Sequence, residues 1–96
     1  MEWDFEAEVR LWKLDAAWHF LTLPQDVADE IEDMPFSRGG FGSLRVQVTI
    51  GSSSWGTSIF PNKELGSFLL PLKKPVRETE GLGVGDVCHV HLRIAE

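Results

Sequence analysis

Ninety-six residues, 43% of them hydrophobic and including four Trp and six Phe, make one domain over residues 1–96 and exclude an intrinsically disordered chain. The net charge of −6 sets up a field that repels nucleic acid and anionic membranes, and the nine Lys and Arg are too scattered to override it. One cysteine, Cys88, excludes an internal disulfide and a cysteine-rich zinc site.

Residues 3–11 alternate, with Trp3, Phe5, Ala7, Val9 and Leu11 on one face and Asp4, Glu6, Glu8 and Arg10 on the other. Period two with an acidic face predicts a half-buried antiparallel strand. This acidic start lacks the basic and apolar regions of a signal peptide, and no apolar run approaches the roughly 18–20 residues of a membrane span, so a cytoplasmic protein is expected. Trp12 breaks the alternation, Leu14-Asp15-Ala16 reads as a turn, and residues 17–23 read as a second strand whose inward face the pattern leaves open.

Pro24 opens an amphipathic helix on Val27, Ile31 and Met34, stopped by Pro35 and expected at a barrel mouth or sheet edge. Phe36 to Gly42 is a glycine-rich loop. The clearest strand follows, with Leu44, Val46, Val48 and Ile50 inward, and Gly51-Ser52-Ser53 turns it back into a strand over 54–60. Residues 61–66 read as a loop, 67–72 as a short strand, and 75–80 as one or two helical turns. Gly81, Gly83 and Gly85 precede a strand rather than a helix, which fits a tight turn with Asp86 accepting from its amides and not a dinucleotide loop. In the last strand Cys88, Val90, Leu92 and Ile94 face inward and His89, His91 and Arg93 outward, so Cys88 is expected to be a buried, inert thiol. Six short strands with regular turn signals point to a mainly β domain, a small barrel or compact sandwich.

Phe41-Gly42, Trp55, Thr57-Ser58-Ile59-Phe60-Pro61, Leu70-Pro71-Leu72-Lys73, Val76-Arg77 and Gly85-Asp86 form a specific set, joined by Leu23-Pro24 at the helix start. Over nearly the whole chain this set resembles a bacterial family, domain of unknown function nineteen-oh-five. The resemblance implies a closed or partly open six-stranded β-barrel of the double-split type, with one short helix and one helical turn. It is similar in architecture to the swapped-hairpin domains of transition-state regulators, but brings no catalytic residue with it.

The chemistry-bearing groups are few. His89 and His91 share a strand face about 6.5–7 Å apart along the backbone, and would need His19 or an acid of the first strand to hold zinc or copper. Histidines so placed are ordinarily plain surface residues. Ser52, Ser53, Ser54 and Ser58 fit no nucleophile motif. Trp55, Thr57, Ser58, Lys73 and Arg77 are the candidate binding residues: the indole as a pocket wall, Lys73 and Arg77 four apart as an anion rim. The plainer alternative has Trp55 in the core, Arg77 paired with Glu80, and Lys73 solvated.

The sequence therefore predicts no catalytic residue, resident metal or cofactor, but a non-enzymatic binding or interaction module, monomer or homodimer, whose partner is a small molecule or protein. Nucleic acid and membrane are not expected partners. The runners-up are a small-molecule or anion binder (or minor enzyme) at Trp55, Lys73 and Arg77, and a regulator-like barrel dimer.

Overall fold

The computed structural model describes residues 1–12, 15–35 and 42–95; Leu14 of the expected first turn and residues 36–41 of the expected glycine-rich loop lie outside the described residues. The chain runs β1 (Glu2–Glu8), β2 (Arg10–Trp12), β3 (Asp15–Thr22), α1 (Gln25–Glu32), β4 (Leu44–Ile50), β5 (Ser53–Asn62), β6 (Ser67–Pro71), α2 (Lys74–Glu80) and β7 (Val87–Ile94). The strands make one antiparallel sheet in the order β1-β7-β4-β5-β6-β3-β2, curled into an open half-barrel.

Two expectations are corrected by this topology. Among the described residues there are seven strands rather than six, and they form an open sheet rather than a closed barrel. The physical reason lies at Val9, where the expected first strand divides. Its N–H donates to the Asp86 carbonyl at 2.9 Å and its carbonyl accepts from Gly85 N–H at 2.9 Å. Before this point the chain pairs with β7; after it, with β3. One stretch of sequence thus supplies both end strands. Beyond the split the alternation also fails: Leu11, expected inward, is exposed, and a bulge shifts the register between Leu11 and Trp12.

Elsewhere the period-two reading holds. Leu44, Val46, Val48 and Ile50 are buried in one core with Phe5, Ala7, Cys88, Val90, Leu92 and Ile94. Strand β3 starts at Asp15, so Asp15 and Ala16 belong to it and not to a turn, and it is Leu21 and Leu23 that enter the core. Pro61, assigned to a loop by the sequence, lies within β5. Its missing N–H is tolerated because β4 pairs no further than Ile59, leaving that side of β5 without a neighbour in the ladder.

Helix α1 is capped at its start by Pro24 and buries Val27, Ala28 and Ile31; Met34 and Pro35 lie past its end. The Trp3 indole donates to Glu30 at 3.1 Å, and the Gln25 amide donates to Asp29 and to the Gly66 carbonyl. Those bonds tie α1 to β1 on one side and to the β5–β6 turn on the other. The expected helical turn at 75–80 is a second helix, closed by Gly81 in the left-handed region. Glu80 at its end accepts from the hydroxyls of Ser52 (2.9 Å) and Ser53 (2.6 Å), which hold its carboxyl below the usual 4.5.

Two substitutions test this frame. Val48 is fully buried, so Val48→Asp places an unpartnered carboxylate in the core and should leave the chain unfolded or insoluble, whereas half-exposed Gln47→Asp should cost no more than about 1 kcal/mol. Gly51 has φ +58°, and a Cβ there would run into Glu80, so Gly51→Ala should cost about 1–3 kcal/mol. Circular dichroism melts check both.

Candidate functional site

The five residues singled out by the sequence are divided between β5 and the α2 segment, and they line none of the three spaces described below. Trp55 and Thr57 alternate with Ile59 on the inner side of β5, and the half-buried indole packs against the core. Ser58 points the other way. Lys73 is the exposed N-cap of α2. Arg77 turns its guanidinium inward: Nε donates to the Leu72 carbonyl at 3.1 Å and one Nη lies 3.4 Å from His19 Nε2. It does not pair with Glu80, which is engaged with the serines. With Arg77 committed to the fold, the anion rim loses its stronger half.

A different feature stands out on the outer face of the β2–β3–β6 half. Phe20 and Leu69 are buried yet stand apart from the main core cluster. Phe20 is covered by aromatic neighbours: Trp12 at 5.8 Å edge-on and Trp18 at 5.8 Å stacked, the two indoles meeting edge-to-face at 5.5 Å. Such contacts add roughly 0.5–1.5 kcal/mol each beyond area burial. The sheet therefore carries apolar weight on both sides here, where a half-covered antiparallel sheet normally turns polar.

Beside this cluster runs a groove of about 640 Å³ at the Val9 split, lined by Val9, Phe20 and Thr22 and walled by Leu11, Leu65 and Val84. A smaller cleft of about 220 Å³ extends it past Trp12 and Glu64, sharing Leu11, Phe20 and Leu65. The walls come from three separate segments: β2, the β5–β6 turn and the turn before β7. They remain exposed at 39% (Leu11), 45% (Leu65) and 55% (Val84). The groove is thus shallow and apolar. Glu8 and Arg10 complete its lining, their charged ends a loose 3.9 Å apart. Another cleft of about 300 Å³ lies between α1 and the β5–β6 turn, with Asp29, Glu32 and Lys63 on it and Phe68 in its wall. None of these three spaces is lined by Trp55, Thr57, Ser58, Lys73 or Arg77.

Against known proteins, the family model "Domain of unknown function (DUF1905)" matches residues 5–92. The chain belongs to the DUF1905 family. No curated protein matches it. In this DUF1905 domain the Gly85-Asp86 pair has a structural task, since its backbone makes both bonds to Val9. Gly85 adopts φ +92°, and the Asp86 carboxylate accepts from Gly83 N–H at 2.8 Å, as expected of the turn. Leu70-Pro71 closes β6, Pro71 opposite Phe20. The sequence does not reveal the groove, because strict alternation places Leu11 inward while Leu65 and Val84 fall in loops. Its legible trace was the pairing of Trp18 and Phe20 two residues apart, opposite the core-facing Leu21 and Leu23.

His89 and His91 meet acids of β1 across the sheet. Asp4 Oδ1 lies 3.0 Å from His91 Nδ1 and 3.2 Å from His89 Nε2, and Glu2 lies 2.8 Å from His91 Nε2. Among the described residues, no group of three or more His, Cys, Asp and Glu side chains is arranged to hold a metal ion. Cys88 is buried beneath this face, its thiol donating weakly to the Ala7 carbonyl and its pKa pushed up by burial.

With a carboxylate on each ring nitrogen, His91 is held above its ordinary 6.5, chiefly by the hydrogen bond to Asp4; Asp4 is held below 3.8, chiefly by His91 and then His89. A raised His pKa stabilises fully below 6.5 and is lost as pH rises through the folded value. A lowered Asp pKa stabilises above 3.8 and is lost as pH falls through its folded value. The pair thus supports the fold best between those limits, modestly because both groups are exposed. Asp4→Asn should bring the NMR titration of His91 down towards 6.5; an unchanged midpoint would refute the pairing.

Proposed function

We propose that this DUF1905 domain is a non-enzymatic interaction module whose contact surface is the groove at the Val9 split, and that its partner is a protein segment. The observation that carries the reading is convergence. The exposed large apolar side chains among the described residues are Met1, Leu11, Phe60, Leu65, Val84 and Val87, and Leu11, Leu65 and Val84 share one groove. Scattered exposed apolar residues are ordinary, whereas a contiguous set marks an interaction surface.

The depth of the groove favours a protein over a small molecule. Small-ligand pockets enclose about 70–90% of their ligand's surface, and walls as exposed as these cannot. A floor holding the buried Phe20 ring, with apolar walls, suits two or three side chains of an extended segment. The Trp55, Lys73 and Arg77 region has less support because Arg77 is engaged with Leu72 and His19. A regulator-like DNA-binding dimer runs against the charge of −6. No described helix is long and apolar enough to cross a membrane.

Short peptides selected by display against the domain and titrated into nitrogen-15-labelled protein test the proposal. Shifts should concentrate on the amides of Leu11, Phe20, Leu65 and Val84 and vanish in Leu11→Asp/Leu65→Asp. Both substitutions fall on exposed positions, so each should change stability by no more than about 0.5 kcal/mol. Shifts centred on Trp55 and Arg77 instead would overturn it. Random-sequence DNA duplex should give no gel shift at physiological salt; micromolar, steeply salt-dependent binding would revive the regulator reading.

A further inference from the structure

We infer that two copies of this chain pair edge to edge through β5, antiparallel and centred on Gly56, at a site independent of the groove. The hairpin fixes which backbone groups are free for this. Ile50 and Ser53 flank a two-residue turn with Gly51 at φ +58°, so they form a hydrogen-bonded pair. Val48 with Trp55, Val46 with Thr57 and Leu44 with Ile59 repeat that pair at every second residue. The far side of β4 agrees, because Arg45, of the alternate set, accepts there from Ala95 N–H at 3.0 Å. The N–H and C=O groups of Ser54, Gly56 and Ser58 therefore point away from β4.

Among the described residues no strand meets them. Strand β6 pairs with β5 only at Phe60, Pro61 and Asn62, and the same register carried on would set Pro71 opposite Ser58, where a donor is needed and proline has none. Pro71 lies instead opposite Phe20 of β3, and the chain turns into α2. Helix α2 reaches β5 at Ser52 and Ser53 through Glu80, short of this stretch. Ser54 and Gly56 are exposed and Ser58 is half-buried.

Donors and acceptors repeating along an extended edge are matched by another extended backbone. The edge is its own complement: with Gly56 on the two-fold axis, Ser54 of one copy faces Ser58 of the other, and each such pair closes two hydrogen bonds. The stretch Ser53–Ile59 holds no charge and no proline, whereas the edge strand β1 carries Glu2, Asp4, Glu6 and Glu8. Both β5 strands are already extended, so their pairing orders less chain than capture of a free peptide. The net charge of −6 opposes approach at long range and is screened by salt, so the dimer tightens as salt rises.

Sedimentation and amide hydrogen exchange from about 10 μM to about 1 mM protein test the pairing. In dilute protein the Ser54, Gly56 and Ser58 amides should exchange at least about tenfold faster than those of Trp55 and Thr57, then gain protection as a dimer forms. Ser54→Glu/Ser58→Glu sets like charges opposite each other across the seam, and Gly56→Pro removes the central donor; each should abolish both dimer and protection. The glutamate variant, altered only at outward side chains, carries the test if the proline variant fails to fold. Leu11→Asp/Leu65→Asp should leave the dimer intact. A monomer throughout, a dimer untouched by the β5 variants, or slow exchange at these three amides in dilute protein would overturn the inference. Protection that appears only with display-selected peptides, on a chain that stays monomeric, would overturn the second copy in favour of a foreign strand.

Discussion

The architecture depends on how the backbone of Val9 is satisfied. A buried peptide group must find partners, and both of Val9's lie in the Gly85-Asp86 turn rather than in the ladder of either strand beside it. That pair of bonds lets the chain leave β7 and cross to β3 without burying an orphaned amide. The split makes one segment both ends of the sheet, keeps the half-barrel curled, and leaves a recess on its outer side where Phe20 forms the floor. The turn holding Val9 also sets Val84 on the recess wall.

Two apolar systems follow from the curl. The inner one is a mainly aliphatic core with Phe5 and Phe68 in it, drawn from β1, β3, β4, β5, β6 and β7 and closed by α1. The outer one is small and aromatic, built on Trp12, Trp18 and Phe20. Burial of Phe20 outside the core contributes stability, so the outer cluster is partly structural. The less covered Leu11, Leu65 and Val84 gain little for the fold where they stand, and it is they that give the surface its binding character.

Legibility in the sequence tracked the regularity of each segment. Strands β4 and β7 were readable because alternation between one buried and one solvated face is a direct imprint of the pleat. The helix at Gln25–Glu32 was readable from its proline start and apolar spacing. Val9 was not recognisable as a break, since its side chain points inward as the strand pattern demands and only its backbone departs. Residues such as Trp55 and Arg77 looked functional by type, yet type does not reveal that a guanidinium is already engaged by Leu72 and His19. The groove draws its walls from segments far apart in the chain, and no local pattern encodes their meeting.

Strand β7 lies between β1 and β4, although it follows both by a long stretch of chain. During synthesis, β1 has no ladder partner until β7 emerges, and β4 lacks its second neighbour for as long. Strands β2 to β6 can pair before β7 emerges, but adding β1 to the sheet must wait for β7, and that step joins Met1 to Ile94 through a backbone bond of 3.0 Å. Pairings of such sequence separation fold slowly. Until then the apolar faces of β1 and β4 stand open, and the run of acids along β1 is what discourages nascent chains from pairing with one another.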